Sequence, residues 1–199
     1  MFVLPDHSTA NARLSELGFV PTARRPKPVQ IRDGVAFVQL SKSLEATVDV
    51  EDAPLVAALN WAAYERPGWT PYAVTGVRRP DGRPTALRLH RYLLTLREMD
   101  GIDVDHIDGN GLHNRRPNLR ACTHAQNLRN RGLMRSNTSG YKGIYFDRCS
   151  GRWRAELRID GRRKHVGYFD TAELAAAAYD AETLKLHGEF ARTNEMLAA

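Results

Sequence analysis

The ten residues GRWRAELRID, at positions 151–160, alternate polar and apolar side chains with a period of two. This period predicts a β-strand with one charged face and one apolar face. The segments YKGIYF before it and RRKHVGYF after it predict two further strands, because the short CSG and DG connections are of hairpin type. The chain is therefore expected to contain a small antiparallel sheet. Its predicted charged face carries Arg152, Arg154, Glu156 and Arg158, and its apolar face carries Trp153, Ala155, Leu157 and Ile159.

The residues that follow predict one amphipathic helix. Asp170 is a candidate N-cap with Glu173 three residues later, and Gly188 is a candidate stop signal. We expect the apolar side of this helix to cover the apolar face of the sheet. An exposed, arginine-rich sheet would then remain, wide enough to lie in a DNA major groove. The predicted apolar side consists of Leu174, Ala177, Ala178, Ala181 and Leu184.

Residues 140–194 resemble the DNA-binding domain of the plant APETALA and ethylene-responsive factors, with the landmarks YKG, WRAELR, GYFDT and AAAAYD. The resemblance implies a duplex-DNA partner. Three positions differ from that family, Tyr145, Asp147 and His165, so the family's base preference does not carry over. A solvated basic sheet on another kind of interaction module is the alternative. The predicted DNA-binding residues are Lys142, Arg152, Arg154, Glu156, Arg158, Arg163 and His165.

A second motif, VDHIDGN at residues 104–110, puts an acid before a histidine at the end of an apolar run. Thr123 and Gln126 form a capping-box pattern, which predicts a helix from Thr123 with Asn127 on its first turn. Carboxylate and amide oxygens suit Mg²⁺, which takes few protein ligands, and a histidine can accept a proton near neutral pH. These residue types suit metal-assisted phosphodiester hydrolysis.

The pattern DVDHIDGN, RRPNLRACTHAQNLRNR is similar to the HNH endonucleases with a ββα-metal site, in particular the His-Asn-Asn variants of phage homing endonucleases. The resemblance covers residues 85–131. It implies that Asp105 and Asn127 bind one Mg²⁺ or Mn²⁺ ion per active site, that His106 is the general base, and that Asn118 orients it. One metal site in a monomer suggests strand nicking.

Other interpretations of this motif remain open. The segment could be an inert Asx-rich turn or a calcium loop. Against the calcium loop, Ile107 stands where an EF-hand needs an oxygen ligand, and Asn114 stands where it needs Glu. The protein could also be a DNA-binding regulator with an inactive nuclease fold, or act on RNA. His90, His113 and His124 are expected to be surface, DNA-facing or packing histidines.

The charge distribution supports a polyanionic partner. Residues 115–165 contain 14 Lys/Arg against 3 Asp/Glu, whereas the whole chain carries a net +6. We expect an α+β protein with a tail and linker at 1–34, a ββα-metal nuclease domain preceded by a small mixed sheet at 35–134, and a three-stranded antiparallel sheet packed on one helix at 140–199. Without a predicted signal or membrane segment, the expected location is cytoplasmic, in the host cell if the protein is phage-encoded.

Overall fold

The computed structural model describes residues 1–22, 25–96, 100–133, 136–159 and 161–198. The chain divides into two compact units, Met1–Cys122 and Thr123–Ala199. The sequence predicted the domain boundary within residues 135–140, whereas the structure assigns the helix His124–Arg129, before that segment, to the second unit. In that unit Lys142 Nζ donates a hydrogen bond to the carbonyl oxygen of Arg129 at the end of this helix (2.6 Å). Among the described residues, no helix is long and apolar enough to cross a membrane.

The first unit is built from short strands and short helices. The elements are α1 (His7–Glu16), β1 (Val20–Pro21), β2 (Val29–Arg32), β3 (Val35–Gln39), β4 (Glu45–Val48), α2 (Ala53–Ala57), β5 (Trp61–Tyr64), β6 (Tyr72–Arg78), β7 (Pro84–Arg88), α3 (Leu89–Leu93), β8 (Asp103–His106) and β9 (Leu119–Cys122). Strands β2, β3 and β4 form one antiparallel sheet, β1, β5 and β7 all pair antiparallel with β6, and β8 pairs with β9. The described sheets before the HNH-like motif are thus antiparallel rather than mixed. Two 3-10 turns, Val50–Asp52 and Arg116–Asn118, precede α2 and β9.

The N-terminal segment, predicted to be a tail and linker, instead contributes to the core of the first unit. Leu14 on α1 and Phe19 after it are buried together with Trp61 and Tyr92. The α1 helix begins after Asp6, whose side chain accepts a hydrogen bond from Thr9 N (3.0 Å). These apolar side chains leave water with the rest of the core, which explains why the segment is ordered against it.

The second unit contains the predicted three-stranded antiparallel sheet and its helix. The elements are α4 (His124–Arg129), β10 (Ile144–Asp147), β11 (Arg152–Ile159), β12 (Arg162–Phe169), α5 (Ala172–His187), a 3-10 turn at Gly188–Phe190 and α6 (Asn194–Ala198). Strand β11 lies between β10 and β12. Helix α5 packs on all three strands and forms a core of Ile144, Ala155, Leu157, Ala175, Ala176 and Tyr179. Thr171, rather than Asp170, caps α5.

The predicted apolar side of α5 is wrong. Helix α5 buries small residues, including Ala175 and Ala176, together with Tyr179, while Leu174 and Leu184 are exposed. Small side chains let the helix backbone lie close to the sheet, where larger leucines would hold it away. The same close approach is seen at Gly143, where an added Cβ would lie 2.1 Å from the Tyr179 ring.

Candidate functional site

Strands β8 and β9 place the acid and the histidine of the VDHIDGN motif at one end of a two-stranded sheet. Asp105 lies opposite Arg120 and His106 lies opposite Leu119. Because neighbouring residues of a strand point to opposite faces, the two side chains have different surroundings. The turn that follows closes with a hydrogen bond from Gly109 N to the His106 carbonyl oxygen (2.8 Å).

The carboxylate of Asp105 is bound by the guanidinium of Arg120. Arg120 Nε and Nη2 both donate to Asp105 Oδ2, at 2.8 and 2.6 Å. The two side chains are shielded from water, with exposures of 5% for Asp105 and 13% for Arg120. This charge-assisted pair fixes the direction of the carboxylate.

The His106 imidazole is buried among aromatic and amide groups. Asn114 Oδ1 lies 3.2 Å from His106 Nε2, and the ring centroids of Tyr72 and His90 lie 5.8 and 5.0 Å from that of His106. Burial lowers the pKa of His106, although the hydrogen bond to Asn114 and the nearby charge of Asp108 act in the opposite direction. His106 is therefore neutral at pH 7, the form that accepts a proton.

His90 is a packing histidine, in agreement with one of the predicted alternatives. Its ring is buried and meets the rings of His106 and Tyr72 edge-on. Burial, together with the charges of His106 and the nearby arginines, holds the pKa of His90 well below its ordinary value. A neutral imidazole thus supports one side of the His106 ring.

Asn118, expected from the family resemblance to orient His106, bonds mainly to the loop between the strands. Its Oδ1 accepts from Asp108 N (3.1 Å), and its Nδ2 donates to Asp108 Oδ1 (2.9 Å) and to the His113 carbonyl oxygen (2.8 Å). Its backbone carbonyl accepts from Ile107 N (2.9 Å). Asn118 therefore closes the loop, and the amide oxygen 3.2 Å from His106 Nε2 belongs to Asn114.

The loop is also tied to the rest of the first unit by ion pairs. Arg116 Nε and Nη2 donate to the Asp52 carboxylate (2.8 and 2.7 Å), and Arg115 Nε donates to Asp49 Oδ1 (2.8 Å). Gly111 approaches β6 so closely that an added Cβ would lie 2.4 Å from the Pro71 carbonyl oxygen. Several of the basic residues that the sequence assigned to a polyanion partner thus have structural roles.

Asn127, the second predicted metal ligand, lies on α4. The predicted capping box at the start of this helix is confirmed: Thr123 Oγ1 accepts from Gln126 N (3.3 Å) and Gln126 Oε1 accepts from Thr123 N (2.8 Å). The helix belongs to the second unit. The role of Asn127 as a ligand stays a prediction.

The donor chemistry of the first unit fits a hard divalent cation held by few protein ligands. Asp105 supplies a buried carboxylate, while the described residues contain no group of three or more His, Cys, Asp or Glu side chains suited to a metal. Mg²⁺ commonly takes one or two carboxylates and completes its shell with water and phosphate oxygens. A cation at Asp105 would share this carboxylate with Arg120 or replace Arg120 on it.

The charged face of the second unit is assembled by cross-strand pairs. Opposite each other on β11 and β12 lie Glu156 with His165 and Arg158 with Arg163. Side chains directly opposite in a sheet share one face. Arg158, Arg163 and His165 are exposed there, which places three of the predicted DNA-binding residues on one accessible surface.

Two other predicted DNA-binding arginines have acidic partners within the unit. Arg152 Nη2 lies 3.0 Å from Asp170 Oδ1, and Arg154 Nη2 donates to Glu156 Oε2 (3.0 Å). The partly exposed pair Arg152–Asp170 is weak in water. A phosphate could therefore replace the Asp170 carboxylate on Arg152 at little cost.

Lys142 differs from the prediction. It lies in the turn before β10 rather than on a strand, and its Nζ donates to the Arg129 carbonyl oxygen. Burial lowers the pKa of Lys142 to about 8. Its backbone N donates to Asn194 Oδ1 (2.6 Å), so that Lys142 has a structural role in the unit.

Three residues around the candidate site, Arg120, Asn114 and Tyr72, were not predicted from the sequence. Arg120 could have been found from strand pairing, because it lies opposite Asp105 in the register of the hairpin. Tyr72 and Asn114 carry no local signal, since their contacts with His106 depend on how β6 and the loop pack.

The two regions match two known families. Residues 97–129 match the HNH endonuclease family, and residues 139–189 match the AP2 domain family. Protein 3.8 of Escherichia phage T7 is 36% identical over 92 residues, which cover 46% of this chain and 75% of that protein. The chain belongs to the HNH endonuclease family and carries an AP2 domain.

Other relatives match different shares of the chain. An uncharacterized HNH endonuclease of Acanthamoeba polyphaga mimivirus is 33% identical over 114 residues, covering 55% of this chain and 58% of that protein. APETALA2-like protein 2 of rice, Oryza sativa subsp. indica, is 43% identical over 54 residues, covering 27% of this chain but only 12% of the plant protein. No solved structure matches the chain. The HNH and AP2 matches support DNA as the partner of this protein.

Proposed function

We propose that this protein is a divalent-metal-dependent endonuclease that nicks double-stranded DNA at a target selected by its AP2 domain, in the manner of a homing endonuclease. The observation that carries this proposal is the buried Asp105–His106 sequence at the end of β8, within the region that matches the HNH family. An acid suited to a hard cation and a neutral base lie on consecutive residues.

His106 is the proposed general base. With Nε2–H donating to Asn114 Oδ1, Nδ1 is the ring nitrogen that accepts the proton of the attacking water. Packing by Tyr72 and His90 restricts the imidazole, so that it does not need to be ordered during the reaction. Asn118 acts one step away, by holding the loop that carries Asn114.

Asp105 is the proposed cation ligand in the first unit, and the ligand role of Asn127 remains a prediction from the sequence. When bound, one Mg²⁺ or Mn²⁺ ion supplies charge stabilisation to the scissile phosphate and the leaving oxygen. The fixed direction of the Asp105 carboxylate supports this role, because an oxygen already held in one orientation loses little conformational freedom when it binds a cation.

The AP2 domain is proposed to bind the duplex through the exposed face of its sheet. Arg158, Arg163 and His165 are exposed on this face and offer donors to guanine edges and phosphates. Arg152 and Arg154 exchange an acidic partner for phosphate, and Glu156 can accept from a cytosine amino group. Action as a monomer in the cytoplasm of a host cell remains a prediction from the sequence.

Conversion of supercoiled plasmid tests the proposal. The wild-type protein should produce open circles in Mg²⁺ and none in EDTA, and Asp105→Asn should lose this activity while it still binds duplex DNA. Linear product at the first turnover would contradict nicking by a monomer. Tight duplex binding without cleavage, on plasmids that carry a selected binding site, would favour a DNA-binding regulator.

A further inference from the structure

Arg120 stands out because it already neutralises the carboxylate that the proposed function assigns to the cation. Its Nε and Nη2 both donate to a single oxygen of Asp105, and the two side chains are shielded from water. An ion at Asp105 would bring two positive charges towards a guanidinium that is held against the same carboxylate. Repulsion between two cations that contact the same carboxylate is large when water is excluded.

The backbone position of Arg120 is fixed, but its long side chain has several rotatable bonds. Its Cα is held opposite that of Asp105 by the β8–β9 register. A guanidinium binds phosphate as well as it binds carboxylate, because both present paired oxygens to its planar donors. The scissile phosphate must lie near any cation bound at Asp105, so it offers Arg120 a second anionic partner in the substrate complex.

We infer that Arg120 couples cation binding to substrate binding: it neutralises Asp105 in the free protein and transfers to a phosphate oxygen of the bound duplex when a divalent cation takes the carboxylate. This inference rests on the proposed function. In the free protein Arg120 competes with the cation, which keeps the affinity of Asp105 for the cation low. Duplex DNA removes this competition, and by linkage the cation strengthens duplex binding through the same residue.

Titration of the DNA-free full-length protein with Mn²⁺, followed by the electron paramagnetic resonance of the free ion, measures the competition. Arg120→Gln should bind Mn²⁺ about tenfold more tightly than the wild type, because the buried carboxylate has lost its counter-ion. Arg120→Lys keeps a positive charge and should bind nearly as weakly as the wild type.

A matched control is the pair formed by Arg91 Nη2 and Asp100 Oδ1 (2.9 Å), whose side chains are 12% and 22% exposed in the same unit. Arg91→Gln should leave the Mn²⁺ affinity unchanged. Asp105→Asn identifies the ion site itself. If Asp105→Asn binds Mn²⁺ as tightly as the wild type does, the proposed cation site is wrong. If Asp105→Asn binds Mn²⁺ more weakly but Arg120→Gln binds it as tightly as the wild type, the cation site stands and the inference about Arg120 is overturned.

The transfer to phosphate is measured by repeating the Mn²⁺ titration with a short duplex, in a His106→Ala background that slows cleavage by about 10² to 10⁴. Duplex DNA should raise the Mn²⁺ affinity by a larger factor when Arg120 is present than in the Arg120→Gln variant. Equal factors in the two proteins would refute the coupling.

Discussion

The hydrogen bonds of Asn118 allow a quantitative prediction for the Asn118→Ala variant. The substitution removes two hydrogen bonds to the backbone, from Asp108 N and to the His113 carbonyl, and one to the Asp108 carboxylate. The two backbone bonds contribute about 0.5 to 1 kcal/mol each, and the charge-assisted bond about 1 to 2 kcal/mol after a discount for the partial exposure of Asp108. We therefore expect the loop to lose about 2 to 4 kcal/mol of stability.

Amide hydrogen exchange is the appropriate assay, because it reports local opening in one unit of a two-unit chain. Exchange of the amides of residues 107–114 should accelerate by about 30- to 1000-fold, corresponding to that free energy. Asn60→Ala is a control in the same unit, since the Asn60 side chain donates to the Arg25 carbonyl at an exposed site; it should leave the exchange of the loop unchanged. An acceleration below about fivefold in Asn118→Ala would refute the role of Asn118 as the residue that closes the loop.

Four further predictions concern the pH dependence of cleavage and of stability, the salt dependence of binding and the DNA-binding face. Because burial lowers the pKa of His106 from its ordinary value of 6.5, the midpoint of its protonation should lie below that pH. The acid limb of the single-turnover cleavage rate should therefore also lie below pH 6.5, and a limb above it would contradict the assigned environment. The pKa of Lys142 is about 8 in the folded protein and 10.5 in the unfolded chain, so the unfolded chain binds more protons between these two pH values. The free energy of unfolding should therefore rise with pH across this window. Urea unfolding at pH 8 and pH 10 should show this rise in the wild type and not in Lys142→Met. Duplex affinity should fall with salt at a log-log slope near −5 if about 6 phosphates are contacted, and Arg158→Ala should weaken binding about tenfold, whereas Lys185→Ala, on an exposed position of α5, should not change it.

Elements with strong local signals could be predicted from the sequence. The alternation at 151–160 specifies a strand with two chemically different faces, and the structure has that strand with Ala155 and Leu157 buried. The capping box at Thr123 specifies the start of α4 to the residue. In both cases the determining contacts lie between residues close in sequence.

Features that depend on tertiary packing could not be predicted. The face of α5 is chosen by how closely the helix can approach the sheet, and alanines are buried in preference to Leu174 and Leu184. The environment of His106 is formed by Tyr72 and His90, which lie 34 and 16 residues earlier in the chain. The Asp105–Arg120 pair requires the register of β8 and β9, which a single sequence does not state.

His106 is the proposed base of a nuclease whose DNA binding is proposed to come from the AP2 domain. The most direct measurement is the single-turnover cleavage rate and the duplex affinity of the wild type and of His106→Ala on the same target DNA. We predict a loss of about 10² to 10⁴ in rate with unchanged affinity. A His106→Ala protein that cleaves as fast as the wild type would contradict the account.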